Sequence, residues 1–179
     1  MIDNTSGIKG KVLVTVFEEN GNIKRFAPKW WQKLFGLSGS LMQVTNHNIV
    51  TNEGDALIAD LMQETPERTK VDNANGVIGV GTGFSVENKT VDALVTQTGS
   101  DEQLDPTYPK TQGDWTAAND HVIEYRATFE AGDLDDTGIN EALLGNGTDT
   151  LAYAQITPAV DVASTDTLQV DWALTFLGS

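Results

Sequence analysis

Leu168-Gln-Val-Asp-Trp-Ala-Leu-Thr-Phe176 alternates apolar and polar residues without a break. In an extended strand its five apolar side chains would all point to one side, because successive side chains alternate between faces. A strand with one apolar and one polar face is typical of an antiparallel sheet that covers a core with one side only. This stretch therefore predicts an antiparallel β-sandwich or barrel.

Further stretches predict strands of the same kind. Residues 122–129 place Ile123, Tyr125, Ala127 and Phe129 on one face and polar side chains on the other. Strands are also predicted at 11–17, at 76–81 and at 150–157, before Pro158. Asn20-Gly21 accepts positive φ at both central positions of a turn, so we expect a tight hairpin between 11–17 and 23–26.

One helix is predicted, at residues 53–64. Thr51-Asn52 offers an N-cap, Glu53 and Asp55 favour the positive first turn, and an apolar stripe follows at helical spacing. Residues 87–118 are polar and contain two prolines, which predicts a long loop. The sequence thus predicts one mainly β domain over 1–179, an antiparallel jelly-roll-like β-sandwich with one short α-helix and extended arms or loops.

Composition narrows the classes of function. The 179 residues carry a net charge of −15 and contain no cysteine, which excludes a thiol nucleophile and any Cys-based metal site. A charge this negative would repel a phosphate backbone, so we expect no nucleic-acid partner. The longest apolar runs span only a few residues, and we expect no membrane partner.

The charge is uneven along the chain. Residues 1–40 carry a net +3, and the remainder therefore carries −18. The two parts are expected to face different surroundings, and 1–40 is predicted to be a basic hairpin or arm.

A tryptophan pair lies inside this arm, in the stretch Pro28-Lys-Trp-Trp-Gln-Lys-Leu-Phe-Gly-Leu37. The stretch is too short to span a bilayer, and we expect it to pack in the core or between subunits. The candidate contacts with a partner or another subunit are the basic and large apolar residues Lys24, Arg25, Lys29, Trp30, Trp31, Lys33, Leu34 and Phe35.

No catalytic constellation emerges from the remaining residues. His47 and His121, the two histidines, stand in no metal-binding spacing, and no Gly-x-Ser-x-Gly elbow is present. Gly79-Val-Gly-Thr-Gly83 lacks the Gly-Lys-Ser/Thr ending of a phosphate loop, which favours a strand that runs into a glycine-dependent turn. We therefore predict a protein that is not an enzyme and has no cofactor.

A partial calcium-loop pattern is the one metal candidate. Asp133, Asp135 and Thr137 would supply the first, third and fifth ligands, and Glu141 stands at the ninth position. Leu144 occupies the twelfth position, where a bidentate Glu belongs, and a turn rich in Asp and Gly explains the same residues.

The order of several short motifs resembles small structural proteins of tailed bacteriophages, among them jelly-roll decoration (cement) proteins and related tail components. The motifs are the Asn-Gly hairpin at 12–23, Asn48-Ile-Val-Thr-Asn-Glu-Gly54, Ile78-Gly-Val-Gly-Thr-Gly83, Asn119-Asp-His-Val-Ile-Glu-Tyr-Arg-Ala-Thr-Phe129, Ile139-Asn-Glu-Ala-Leu-Leu144 and the terminal strand. Where the group usually has Glu-x-Gly-Leu-Phe, this chain has Glu141-Ala-Leu-Leu144.

The resemblance implies a noncatalytic virion protein, made in the host cytoplasm, that binds the outer capsid lattice as an oligomer and stabilises it. Its partners would be the major capsid protein and two further copies in a homotrimer. One alternative is a tail, baseplate or fibre component, in which Trp115, Asn119 and Asp120 could bind carbohydrate. A second alternative is a hydrolase that acts on the host envelope.

Overall fold

The computed structural model describes residues 7–111 and 121–177, and within them nine strands form one curled antiparallel sheet. The strands are β1 (Gly7–Phe17), β2 (Gln43–Val50), β3 (Val77–Gly81), β4 (Gln97–Gln103), β5 (Lys110–Thr111), β6 (Val122–Phe129), β7 (Asp136–Gly145), β8 (Thr150–Val162) and β9 (Thr167–Leu177). Their order across the sheet is β4-β3-β7-β8-β2-β1-β9-β6-β5. The helices are α1 (Trp30–Leu34) and α2 (Asn52–Leu61).

Strand β2 divides the curled sheet into two layers. It pairs with β1 from Gln43 to Asn48, and with β8 from Asn48 to Val50. Strands β1, β9, β6 and β5 follow on one side of this switch, and β8, β7, β3 and β4 on the other. The predicted fold class, a mainly β, antiparallel, jelly-roll-like sandwich, is confirmed.

The core lies between the two layers. Leu168, Val170, Trp172 and Leu174 of β9 are almost completely buried, as the alternation predicted, while Phe176 is half-buried near the strand end. Alternate residues of β1 and β6, which flank β9 in the same layer, belong to the same hydrophobic core. Ile78 and Val80 of β3 join this core from the opposite layer. Each fully buried aliphatic or aromatic side chain contributes roughly 1.5–3 kcal/mol by leaving water.

The sandwich has two ends that differ in what they carry. The connection from β1 to β2, which contains α1, leaves β1 after Phe17, and α2 begins where β2 finishes. The β7–β8 turn lies beside α2, because the Thr51 amide donates to the Leu151 carbonyl at 3.2 Å. The eight residues of β2 separate the two ends by about 25 Å, at roughly 3.3 Å per residue.

The predicted helix is present as α2, and it ends at Leu61 rather than at residue 64. Thr51 is its N-cap, and the Thr51 hydroxyl accepts a hydrogen bond from the Gly54 amide at 2.9 Å. The prediction of a single helix is wrong, because five residues around the tryptophan pair form α1. Neither helix of the described residues has the length and hydropathy needed to cross a bilayer.

The N-terminal hairpin turn is present, but with a different geometry from the one predicted. The Gly21 amide donates to the Glu18 carbonyl at 2.8 Å, and only Gly21 has positive φ, at +79°. This is a four-residue turn closed by a left-handed glycine. The returning residues 23–26 make single bridges, such as Phe17 with Ile23, and do not form a strand.

The prediction of a long loop at 87–118 is wrong for nine residues, which form strands, seven in β4 and two in β5. It contains β4, which pairs with β3, and β5, which pairs with β6. Strand β4 is an edge strand, and most of its side chains are polar and exposed, so it shows no apolar alternation. Residues 112–120 lie outside the described part of the chain.

Candidate functional site

Five of the nine exposed large apolar side chains among the described residues lie on one short loop. We call residues 27–38 the α1 loop. Its exposed apolar side chains are Trp30 (78% exposed), Leu34 and Phe35 (72% each), Leu37 (51%) and Trp31 (42%). None of the residues of α1 is buried. A cluster of exposed large apolar side chains on the surface of a protein is typical of an interaction site.

The electrostatics of the α1 loop are the opposite of those of the rest of the chain. Residues 20–52 contain no acidic side chain, although the whole chain has 26. Within the loop, Lys29 and Lys33 are exposed beside the apolar side chains. The loop therefore presents an apolar surface with a basic rim, which suits a partner surface that is acidic.

The two ends of the α1 loop are tied together at a closed neck. The Phe26 amide donates to the Ser40 carbonyl at 2.9 Å. The Arg25 guanidinium donates to the Gly39 carbonyl at 2.8 Å. A Cβ at position 39 would lie 1.8 Å from the Phe26 carbonyl oxygen, so only glycine permits this approach. A closed neck limits the conformations of the loop before it binds, which lowers the entropic cost of binding.

Two of the eight contact candidates have roles within the chain. Lys24 is half-buried, and its ammonium forms an ion pair with the buried Asp166 at 2.5 Å and donates to the Asp161 carbonyl at 3.0 Å. Arg25 braces the neck, as described above. These two residues position the loop, and Lys24 in particular is not free to meet a partner. The other six candidates lie on the α1 loop itself, as the sequence grouped them.

The expectation that the tryptophan segment packs in the core is wrong for the single chain. Its large apolar side chains are exposed to solvent, and the nearest buried residue in sequence is Gly39. The second possibility stated for this segment, packing against another subunit, is the one that the exposure favours.

A second polar feature is a buried carboxylate at Glu141 of β7, which is fully inaccessible to solvent. Its Oε1 accepts from the amides of Gly83 and Thr96, at 3.0 and 2.9 Å. Its Oε2 accepts from the Val95 amide at 3.0 Å and from the Tyr153 hydroxyl at 2.6 Å. Glu141 thus ties both ends of the β3–β4 loop (residues 82–96) to the outer face of the sheet.

The neighbouring residues complete this attachment. The Asn140 side-chain oxygen accepts from the Phe84 amide at 2.9 Å. The Phe84 ring stacks on Tyr153, with ring centroids 6.0 Å apart. The motif Ile139-Asn-Glu, which contributed to the family resemblance, therefore fastens a loop to the sheet.

The glycines at 79–83 serve the same attachment. A Cβ at Gly81 would lie 2.6 Å from Glu141 Oε1, and a Cβ at Gly83 would lie 2.4 Å from the Thr96 hydroxyl. Strand β3 therefore runs into a loop there, as predicted, but the glycines are required by close packing rather than by positive φ.

Burial by itself raises the pKa of Glu141, but hydrogen bonds from Tyr153 and from the three amides outweigh it and lower the pKa below the ordinary 4.5. A carboxylate with a lowered pKa stabilises the fold fully above the unfolded pKa, and this contribution is lost as the pH falls through the folded pKa.

We therefore expect the free energy of unfolding of the wild type to exceed that of Glu141→Gln by a constant amount at neutral pH. The difference is expected to shrink as the pH falls below about 4.5. Urea denaturation of both proteins at a series of pH values measures it. Burial raises the pKa of Glu87 and Asp101, but these groups titrate in both proteins and cancel in the difference. A difference that grows on acidification would contradict the assignment.

The calcium-loop interpretation is wrong in its geometry, because the structure does not bring the four side chains together. The Glu141 carboxylate accepts hydrogen bonds from three amides and the Tyr153 hydroxyl, as described above. Asp133 accepts from the Glu130 amide at 2.7 Å, and Asp135 accepts from the Ser164 amide at 3.1 Å. Within 7–111 and 121–177, no three His, Asp or Glu side chains are grouped so that they could hold a metal ion.

The remaining candidates are not assembled into a site in the described residues. His47 lies on β2 and His121 precedes β6, and neither belongs to a group of potential metal ligands. Trp115, Asn119 and Asp120, the carbohydrate candidates, lie outside the described residues. Comparisons of the chain with protein-family models, with curated proteins and with solved structures found no match.

Proposed function

We propose that this chain is a structural protein of a tailed-bacteriophage virion, which binds the outside of the capsid as an oligomer and stabilises the shell. The α1 loop is the contact through which the chain joins the assembly. The single observation that carries the proposal is the exposure of five large apolar side chains on a loop whose neck is closed.

The physical argument starts from the cost of this exposure. Removing apolar surface from water is favourable by roughly 25 cal/mol for each Å². A tryptophan side chain that becomes buried removes about 150–250 Å² of surface from water. Leaving two tryptophans exposed forgoes that gain unless a partner covers them. The closed neck presents them in a limited set of conformations, as an anchor for a partner requires.

The rest of the molecule suits a component of an outer shell. A nine-stranded sandwich with a well-buried core supplies a rigid body. The residues outside 1–40 carry a net −18, which keeps that body hydrated. The order of the sequence motifs, which resembles that of capsid decoration proteins, supports the same function.

The test is binding to empty capsids of the phage that encodes this chain, stripped of the protein. Purified protein is added at increasing concentration, capsids are pelleted, and the bound copies per capsid are counted. We expect saturable binding at a number of copies that matches the lattice points of the shell. Bound capsids should also resist heat or mechanical disruption better than stripped capsids.

Two outcomes would contradict the proposal. One is the absence of saturable binding to capsids by a protein that is folded according to circular dichroism. The other is hydrolysis of host cell-wall or capsule polysaccharide by the purified chain, which would favour an enzyme acting on the host envelope.

A further inference from the structure

A groove on the chain has an apolar and acidic lining, which complements the apolar and basic surface of the α1 loop. It lies on the outer face of the sheet beside the β7–β8 turn, and its volume is about 120 Å³. Its apolar lining comes from Val77, Leu94 and Leu143, and its charged lining from Asp92, Asp101 and Asp149. No basic side chain lines it among the described residues.

The three aspartates are not equally neutralised within the chain. Asp149 forms an ion pair with Arg68. Asp101 accepts from the amide side chain of Gln97 at 2.9 Å, and Asp92 is exposed. Burial raises the pKa of Asp101, since no cation compensates for its lost hydration. A lysine brought to the groove would therefore meet two uncompensated carboxylates.

The groove and the α1 loop lie at opposite ends of the sandwich. The groove is beside Asp149 and α2, whereas the neck of the loop is beside Lys24 and Asp166, at the β8–β9 turn. The length of β2 separates these ends by about 25 Å. The loop of one chain therefore cannot reach the groove of the same chain.

We infer that the α1 loop of one copy docks into the acidic groove of a second copy. An apolar side chain of the loop enters the groove, and Lys29 and Lys33 approach Asp92 and Asp101. The space of about 120 Å³ is large enough for an aliphatic side chain such as that of Leu34. This inference rests on the proposed role of the loop as an assembly contact, and it names the partner.

The contact joins two different surfaces, so it is head-to-tail. Contacts of this kind generate closed rings when the rotation between copies closes, and open fibres when it does not. In a closed ring every groove receives a side chain from the loop of a neighbouring copy, and a trimer is the smallest ring above a dimer. Such a ring would attach to the capsid at several points at once, which multiplies the strength of attachment.

The test is a disulfide between two copies of the purified chain, in the absence of capsids. The natural chain has no cysteine, so each introduced thiol is unique. A tagged Ser38→Cys chain, which keeps the apolar and basic side chains of the α1 loop, is mixed with an untagged Ala93→Cys chain, whose substitution lies in the groove, and the mixture is mildly oxidised. The control mixture contains Ser38→Cys and Thr165→Cys, which places the second thiol on an exposed turn away from the groove.

We expect on the order of tenfold more mixed disulfide with Ala93→Cys than with Thr165→Cys, because docking raises the effective concentration of the thiols. Sedimentation velocity should also show self-association of the wild type and its loss in Leu34→Ala, whose fold is intact because α1 has no buried residue. Equal disulfide yields, or a wild type that stays monomeric, would overturn the inference.

The outcomes separate this inference from the proposed function. Capsid binding together with equal disulfide yields would overturn docking between copies and leave the capsid proposal standing. A specific disulfide without capsid binding would support docking between copies and contradict the capsid proposal.

Discussion

Replacement of both Trp30 and Trp31 by alanine is expected to weaken binding to empty capsids by about 100-fold or more, which is the loss of one or two anchor residues in an interface. The free energy of unfolding should change little, because neither tryptophan is buried in the single chain. A variant that also fails to associate with neighbouring copies attaches to the capsid singly, so it loses the increase in binding strength that comes from attachment at several points. Pelleting with capsids measures the first quantity, and urea denaturation measures the second.

The matched control is Met62→Ala. Among the residues that the structure describes, Met62 is the most exposed large apolar side chain, at 84%, and it lies just after α2, outside the α1 loop. Its removal should leave capsid binding within about twofold of the wild type. If the double tryptophan variant bound capsids as tightly as Met62→Ala, the α1 loop would not be the assembly contact.

The largest loss of stability is expected for Glu141→Ala, at roughly 3–5 kcal/mol. The substitution leaves three amides and the Tyr153 hydroxyl without their acceptor, and it detaches the β3–β4 loop at both ends. Chemical denaturation measures the loss. Amide hydrogen exchange should accelerate at Gly83, Val95 and Thr96 together, since all three amides donate to the same carboxylate.

Asn140→Ala is the control for Glu141→Ala because it removes a single hydrogen bond from the same strand. We expect it to cost about 1 kcal/mol and to accelerate exchange at Phe84 alone. The attachment of the loop by Glu141 would be wrong if Glu141→Ala cost no more than Asn140→Ala, or if exchange at Val95 and Thr96 were unchanged.

Several elements could be predicted from the sequence because their local pattern coincides with their packing. Strands β6 and β9 each have one buried and one accessible face, so their residues alternate. The N-cap at Thr51 could be predicted because the threonine hydroxyl accepts from an amide in the first turn of the same helix, a contact between residues close in sequence.

Other elements could not be predicted because their polar residues depend on contacts distant in sequence. Strand β4 is an exposed edge, so its composition resembles that of a loop. Strand β7 buries a glutamate where an apolar residue would be expected, since four donors from other segments satisfy it. Strand β8 continues past Pro158 to Val162, although a proline usually ends a strand.

The candidate contact surface was predictable in composition but not in detail. The sequence identified the tryptophan pair and the neighbouring bases as one group. It could not separate Lys24, which is ion-paired with Asp166, from Lys29 and Lys33, which are exposed, because Asp166 is 142 residues away. The acidic groove was also not predictable, since its aspartates come from three separate segments of the chain.

The most direct test of the capsid proposal is the position of this protein on the virion. Electron cryo-microscopy of intact particles, with a tag fused to the C-terminus, would locate it and count its copies. The proposal predicts tagged density at many equivalent points on the outer capsid lattice, in rings joined by the α1 loops. A few copies confined to one vertex or to the tail would contradict it.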